Sequence, residues 1–161
     1  MPTPDFVLEL RAMVGHTPLW LPGVTGVVVR EGDPGVEVLC VRSVNDGHWT
    51  AICGIVEPGE DPHVAVVREA LEEADVVIGV ERLVAVAAGE PVTYANGDVC
   101  IYLDHTFRCR WLSGDARIAD DESTGIGWFT PDALPRPMTE GMRRRIAVGL
   151  ENPADVRLGR H

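Results

Sequence analysis

Three glutamates, Glu69, Glu72 and Glu73, stand at i, i+3 and i+4. On a helix that spacing gathers their carboxylates on one side. The surrounding segment, residues 54–76, carries seven acidic side chains against one basic one, Arg68. Like charges so placed repel by about 0.2–0.5 kcal/mol per pair. Acids in a helix's last turn also oppose its dipole. Arg68, four residues before Glu72, is the only local compensation. Two readings follow from composition and spacing. The carboxylates form a solvated acidic face, or a divalent cation offsets their repulsion. Mg²⁺ takes oxygen ligands and is commonly held by one or two carboxylates together with substrate phosphates.

The rest of the chain narrows the chemistry. Its 161 residues suffice for one domain with a core, and 1–161 is read as a single domain. A net charge of −11 disfavours nucleic-acid binding, which needs cations against phosphate. All 14 basic residues are arginine, so lysine Schiff-base chemistry and the P-loop lysine are excluded. Cys40, Cys53, Cys100 and Cys109 form no C-x-x-C pair and read as buried reduced thiols. No apolar run reaches the length of a membrane span, and the first residues lack a secretory pattern. The expectation is a cytoplasmic protein with a small-molecule partner, bound to neither nucleic acid nor membrane.

Taken in order, residues 54–76 resemble the Nudix box, G-x5-E-x7-R-E-U-x-E-E-x-G-U, where U is a bulky aliphatic residue. Gly54, Glu60, Arg68, Glu69, Glu72 and Glu73 fill six of its seven fixed polar or glycine positions. Trp49 before the box, and Trp128-Phe129 after an acidic loop, extend the likeness over roughly residues 20–135. The resemblance implies hydrolysis of a nucleoside diphosphate linked to another moiety, such as ADP-ribose, a nucleotide sugar or a (d)NTP. It implies Mg²⁺ or Mn²⁺ as cofactor and attack of water on phosphorus. Glu72 and Glu73 would be the main metal ligands, with Glu69 a further ligand or the general base. The backbone carbonyl at Cys53 or Gly54 would add a contact, and Arg68 and Glu60 would orient the carboxylates. A last acid would come from Asp120, Asp121 or Glu122, of which Glu122 is favoured, the alternative being that the three form a solvated acidic turn. Many related hydrolases are homodimers. The alternative within the resemblance is a noncatalytic nucleotide-sensing domain.

Two positions depart from the pattern. Ile52-Cys53 replace the usual Pro-Gly, and Asp75 replaces the box glycine, where the chain normally enters the left-handed region. Substrate markers conflict. Within the family, a proline about 15 residues past the box points to ADP-ribose, and Pro91 sits there; Tyr94 is at the edge of the range for dinucleoside polyphosphates. Arg30, Arg42, Arg108 and Arg110 lie in strand-like runs and could grip phosphate or base, with Arg42, Tyr94 and Arg108 taken as the substrate-binding set. Trp20, Tyr102, Phe107 and Trp111 are placed either in the core or against a base.

The elements that must hold these residues are also readable. Asp61-Pro62 is a helix start, with the N-cap acid followed by proline. The helix then runs to about Ala74. Its apolar stripe is expected at Val64, Val67, Leu71 and Ala74, with the glutamates roughly opposite. Strands are expected at 24–30, 36–43, 82–88 and 99–111, with another after the acidic loop. Helices are expected at 4–14 and 138–150, and a frayed tail from Glu151. The fold class is α/β: a Nudix-type α/β/α sandwich around a mixed β-sheet.

Overall fold

The computed structural model describes residues 3–33, 35–119 and 123–159. Three α-helices are described: α1 (Asp5–Val14), α2 (Pro62–Ala74) and α3 (Glu140–Glu151). The described strands are β1 (Leu19–Glu31), β2 (Val36–Ser43), β3 (Trp49–Thr50), β4 (Ile52–Ile55), β5 (Val77–Ala88), β6 (Val92–Thr93), β7 (Val99–Ser113), β8 (Ser123–Phe129) and β9 (Arg157–Leu158). A 3₁₀ turn lies at Pro131–Ala133. The sheet is mixed, as expected. Its spine runs β3-β2-β1-β7-β5-β9, with β4 on β1, β6 on β7 and β8 on β2. β1 and β7 pair in parallel, as do β5 and β9, while the other pairs are antiparallel.

β1 is the centre of the molecule because its β-branched run is buried on both faces. Val24 and Val28 join the cluster beneath α2, with Ile52, Phe107 and Cys109. Val27 and Val29 join the cluster beneath α3, with Val38, Cys40, Met142 and Ile146. The two helices therefore cover opposite faces, and the sandwich is α/β/α. Both approach β1 closely. A Cβ on Gly26 would lie 2.7 Å from Val66 Cγ2, and one on Gly149 would lie 2.5 Å from Val27 Cβ. α1 packs on a third, smaller cluster with Val7, Leu21 and Cys100.

α2 keeps the expected bounds, but it is turned differently. Its buried residues are Ala65, Val66, Glu69, Ala70 and Ala74. Val64, Val67 and Leu71 are exposed. The close approach at Gly26 explains the difference. A helix seated that near a strand buries its small side chains, and the larger stripe is left to solvent. Glu69 thereby comes onto the core face, not opposite it. The tail is the second correction. It does not fray at Glu151: Arg157 and Leu158 pair with Ala85 and Val86 of β5, and Gly159 N–H donates to Val86 O at 2.9 Å.

Candidate functional site

β4 delivers the first box residue. It pairs antiparallel to β1, with Val24 opposite Gly54 and Thr25 opposite Cys53. The glycine is required because a Cβ on Gly54 would fall 1.9 Å from Glu69 Oε1. The Glu69 carboxylate thus lies flat against the β4 backbone. Asp61 then stands at the N-cap with extended geometry, although its side chain makes no capping hydrogen bond, and Pro62 begins α2.

Arg68 is the hub of the box. Nε donates to Glu60 Oε1 at 2.9 Å and Nη2 to Glu60 Oε2 at 2.8 Å, a two-pronged grip. Nη1 donates to Glu69 Oε1 at 2.8 Å and Glu72 Oε2 at 3.2 Å, and Nη2 also reaches Ile55 O at 3.2 Å. One guanidinium therefore ties three carboxylates to the end of β4. The Arg68 hydrogen bonds hold Glu60 below its usual pKa, so it stays charged. Glu60 also accepts from Glu57 N–H at 3.1 Å, which closes the loop before α2.

Glu69 has the opposite character. Its side chain is fully buried, and its Oε2 has no hydrogen-bond partner. Burial pushes its pKa up to about 7, against the pull of Arg68. An unmet buried acceptor costs about 1–3 kcal/mol, more when charged. A proton or a cation at Oε2 would remove that cost. Glu72 is half exposed, and Glu73 Oε2 accepts the Cys53 N–H at 3.3 Å. Among the described residues, no three acidic, cysteine or histidine side chains converge as a ready-made metal cluster. The donors nevertheless fit a hard cation in type and in need: oxygen only, one of them buried and unmatched.

Asp75 adopts the left-handed conformation itself, with φ 53° and ψ 38°. Its N–H donates to Leu71 O, and Val76 N–H to Ala70 O. Its carboxylate points to Arg117, with Oδ2 2.6 Å from Nη2. The following loop closes the helix end from outside: Arg117 N–H donates to Ala74 O at 3.1 Å and Ala119 N–H to Glu73 O at 3.3 Å. This loop leads directly to Asp120, Asp121 and Glu122, which lie outside the described residues.

The expected site residues thus divide. Glu60, Glu69 and Glu72 are joined through Arg68, Gly54 lies against Glu69, and Glu73 adjoins through Cys53. The three expected substrate-binding residues have other attachments. Arg42 donates to Gly47 O in the loop after β2. Tyr94 pairs its hydroxyl with that of Tyr102 at 2.7 Å. Arg108 spans Glu81, at 2.8 Å, and Gly149 O at the end of α3, at 2.9 Å. Phe107 is core, Trp20 is exposed, and Arg30 stacks over Trp128 at 4.2 Å. The thiols of Cys40, Cys53 and Cys109 are pushed up to about 12 by burial, so they are inert, and all four cysteines are free.

One group beside the box escaped the sequence reading. Asp104 is buried on β7, where Thr25 and Thr106 donate hydroxyls to it at 2.6 and 2.7 Å, and Arg145 of α3 lies against it. Thr25 and Arg145 are 120 residues apart. An Asp-x-Thr pair on an alternating strand does signal two polar groups on one face, but nothing local names their partners.

Comparison with known proteins places this geometry in context. A family model described as the NUDIX domain matches residues 20–148. A MutT-like protein of Streptomyces ambofaciens is 32% identical over 134 residues, covering 83% of this chain and 79% of the relative. The NAD-capped RNA hydrolase NudC of Pseudomonas aeruginosa PAO1 is 36% identical over 111 residues, covering 68% of this chain but only 36% of that protein. Among solved structures, a UDP-X diphosphatase superposes with a TM-score of 0.68 at 20% identity, covering 97% of this chain and 74% of the other. At that identity the likeness concerns the fold.

Proposed function

Since this chain belongs to the Nudix family and is a Nudix hydrolase, we propose that it cleaves a nucleoside diphosphate linked to another moiety with the help of Mg²⁺ or Mn²⁺. The observation that carries this reading is Glu69: a fully buried carboxylate with one unmatched oxygen, laid against Gly54 and joined through Arg68 to Glu72.

Glu72 and Glu73 would hold the cation, with the carbonyl at Gly54 beside them, and Glu69 would serve as a further ligand or as the general base. When bound, the cation neutralises phosphate oxygens and lowers the pKa of an attacking water. The chain's own residues do the rest. Water oxygen bonds to phosphorus, the anhydride P–O bond breaks, and the departing phosphate oxygen leaves with the bond pair. As the base, Glu69 would take the water's proton; burial raises its pKa in the metal-free protein, and a cation beside it would draw that value down. Arg68 and Glu60 act through the other carboxylates as positioning residues, fixing the turn from β4 into α2.

The substrates for which two of these proteins are named, UDP-X and NAD-capped RNA, both contain a nucleoside diphosphate unit. For this chain we favour a small nucleotide derivative of the ADP-ribose, nucleotide-sugar or (d)NTP class. Four unpaired cysteines suit a reducing, cytoplasmic setting.

The test is phosphate or nucleotide release from ADP-ribose, UDP-glucose and the (d)NTPs, with Mg²⁺ and with EDTA. Turnover that disappears with EDTA is expected. Glu73→Gln should lower kcat by about 100-fold or more, and Glu60→Gln by less. No turnover of any substrate, with ADP still raising the melting temperature, would favour a nucleotide sensor. Full activity in Glu73→Gln would remove that residue from the metal site.

A further inference from the structure

The buried group around Asp104 has more order than packing alone requires. Asp104 is 4% exposed, and both its oxygens already accept hydroxyls, from Thr25 and Thr106. Arg145 enters as a second layer. Its Nε stands 3.5 Å from Asp104 Oδ2, and its Nη1 donates to Thr25 Oγ1 at 3.3 Å. These contacts fix one edge of the guanidinium. Nη2 lies near Gly89, where an added Cβ would come into ordinary contact with it at 3.9 Å. The arginine side chain is 31% exposed. The result is a cation held by a buried acid, with its side chain still partly open to solvent.

Its position gives that cation a use. Thr25 Oγ1 is 3.7 Å from Cys53 Sγ, and Cys53 N–H donates to Glu73. Arg145 is therefore linked to the box in three short steps, through Thr25, Cys53 and Glu73. The Cys53 thiol feels the fields of Arg145, Glu73 and Asp104 together. A chain of net charge −11 that gathers carboxylates to meet a diphosphate repels that same ligand. Arg68 is occupied by three carboxylates and a carbonyl. Arg145 is linked to the box and is 31% exposed, and a planar fork matches phosphate oxygens in pairs.

We propose that Arg145, clamped by Asp104 and Thr25, binds a phosphate oxygen of the substrate's diphosphate and so sets substrate affinity. This rests on the box being the hydrolytic site. It makes Arg145 a substrate-binding residue and Asp104 its positioning residue.

The experiment measures two things on the full chain with Mg²⁺: the Kd of α,β-methylene-ADP, and KM and kcat on whichever of ADP-ribose and UDP-glucose is turned over. Arg145→Gln should weaken both Kd and KM by about tenfold or more, with kcat within about threefold. Arg145→Lys, which keeps the charge but not the fork, should recover part of the loss. Asp104→Asn should weaken affinity less than Arg145→Gln and should not lower kcat more than KM rises. Unchanged Kd and KM in Arg145→Gln would overturn the proposal, as would a fall in melting temperature and kcat with KM unaltered. So would an analogue that fails to bind the wild type. Weaker analogue binding in Arg145→Gln, in a protein that turns over nothing, would retain the anion site and reject hydrolysis. Normal turnover with unchanged analogue affinity would do the reverse.

Discussion

Glu69 is a carboxylate placed where a carboxylate is costly, and the cost depends on pH. Its pKa in the folded, metal-free protein is about 7, against an ordinary 4.5. A group that holds its proton more tightly when folded stabilises the fold fully below the lower value. That contribution fades as pH rises through the upper one. For one proton the slope is about 1.4 kcal/mol per pH unit. In EDTA, the melting temperature of the wild type should therefore fall between about pH 5 and about pH 8 relative to Glu69→Gln, which cannot ionise. Parallel profiles would mean that Glu69 is not desolvated in solution. Gly54 belongs to the same contact. Gly54→Ala puts a methyl where Glu69 Oε1 now lies, and should cost about 1–3 kcal/mol in urea unfolding. Turnover should fall with it, because Glu69 must leave its slot.

The end of α2 shows how an element can do without its expected residue. Asp75 pays the left-handed penalty that glycine avoids, about 1 kcal/mol, and returns an exposed ion pair to Arg117 that is worth little. Two consequences are measurable by urea denaturation. Asp75→Gly should leave stability within about 1 kcal/mol of wild type, gain and loss nearly cancelling. Asp75→Ala should lose about 1 kcal/mol or more, because alanine tolerates the left-handed region less well than aspartate does. The helix bounds were legible because Asp61-Pro62 and the box spacing are local signals. The helix's rotation was not. Val64, Val67 and Leu71 make the more hydrophobic stripe, and only the approach to Gly26 of β1, a feature of tertiary packing, shows that alanines must face inward. Glu69's burial, which most shapes the site, was hidden for the same reason.

At the scale of the molecule, the long strands of the mixed sheet announce themselves through β-branched runs. What joins distant strands does not. The Thr25–Asp104–Arg145 group draws on β1, β7 and α3, and no window along the chain contains it. Likewise β9 is two residues long and has no periodicity to detect. It occupies the β5 edge at Ala85 and Val86, and Arg82 Nη1 adds a bond to Pro153 O at 3.1 Å. Bare strand edges are templates for another chain. Deleting residues 153–161 should expose one, and light scattering of the shortened protein should rise with concentration where that of the full chain stays flat. The position of a fusion handle then matters to the protein's solution behaviour. A tag or reporter joined after residue 159 pulls on the segment that shields β5, so the same label could turn a well-behaved preparation into a self-associating one.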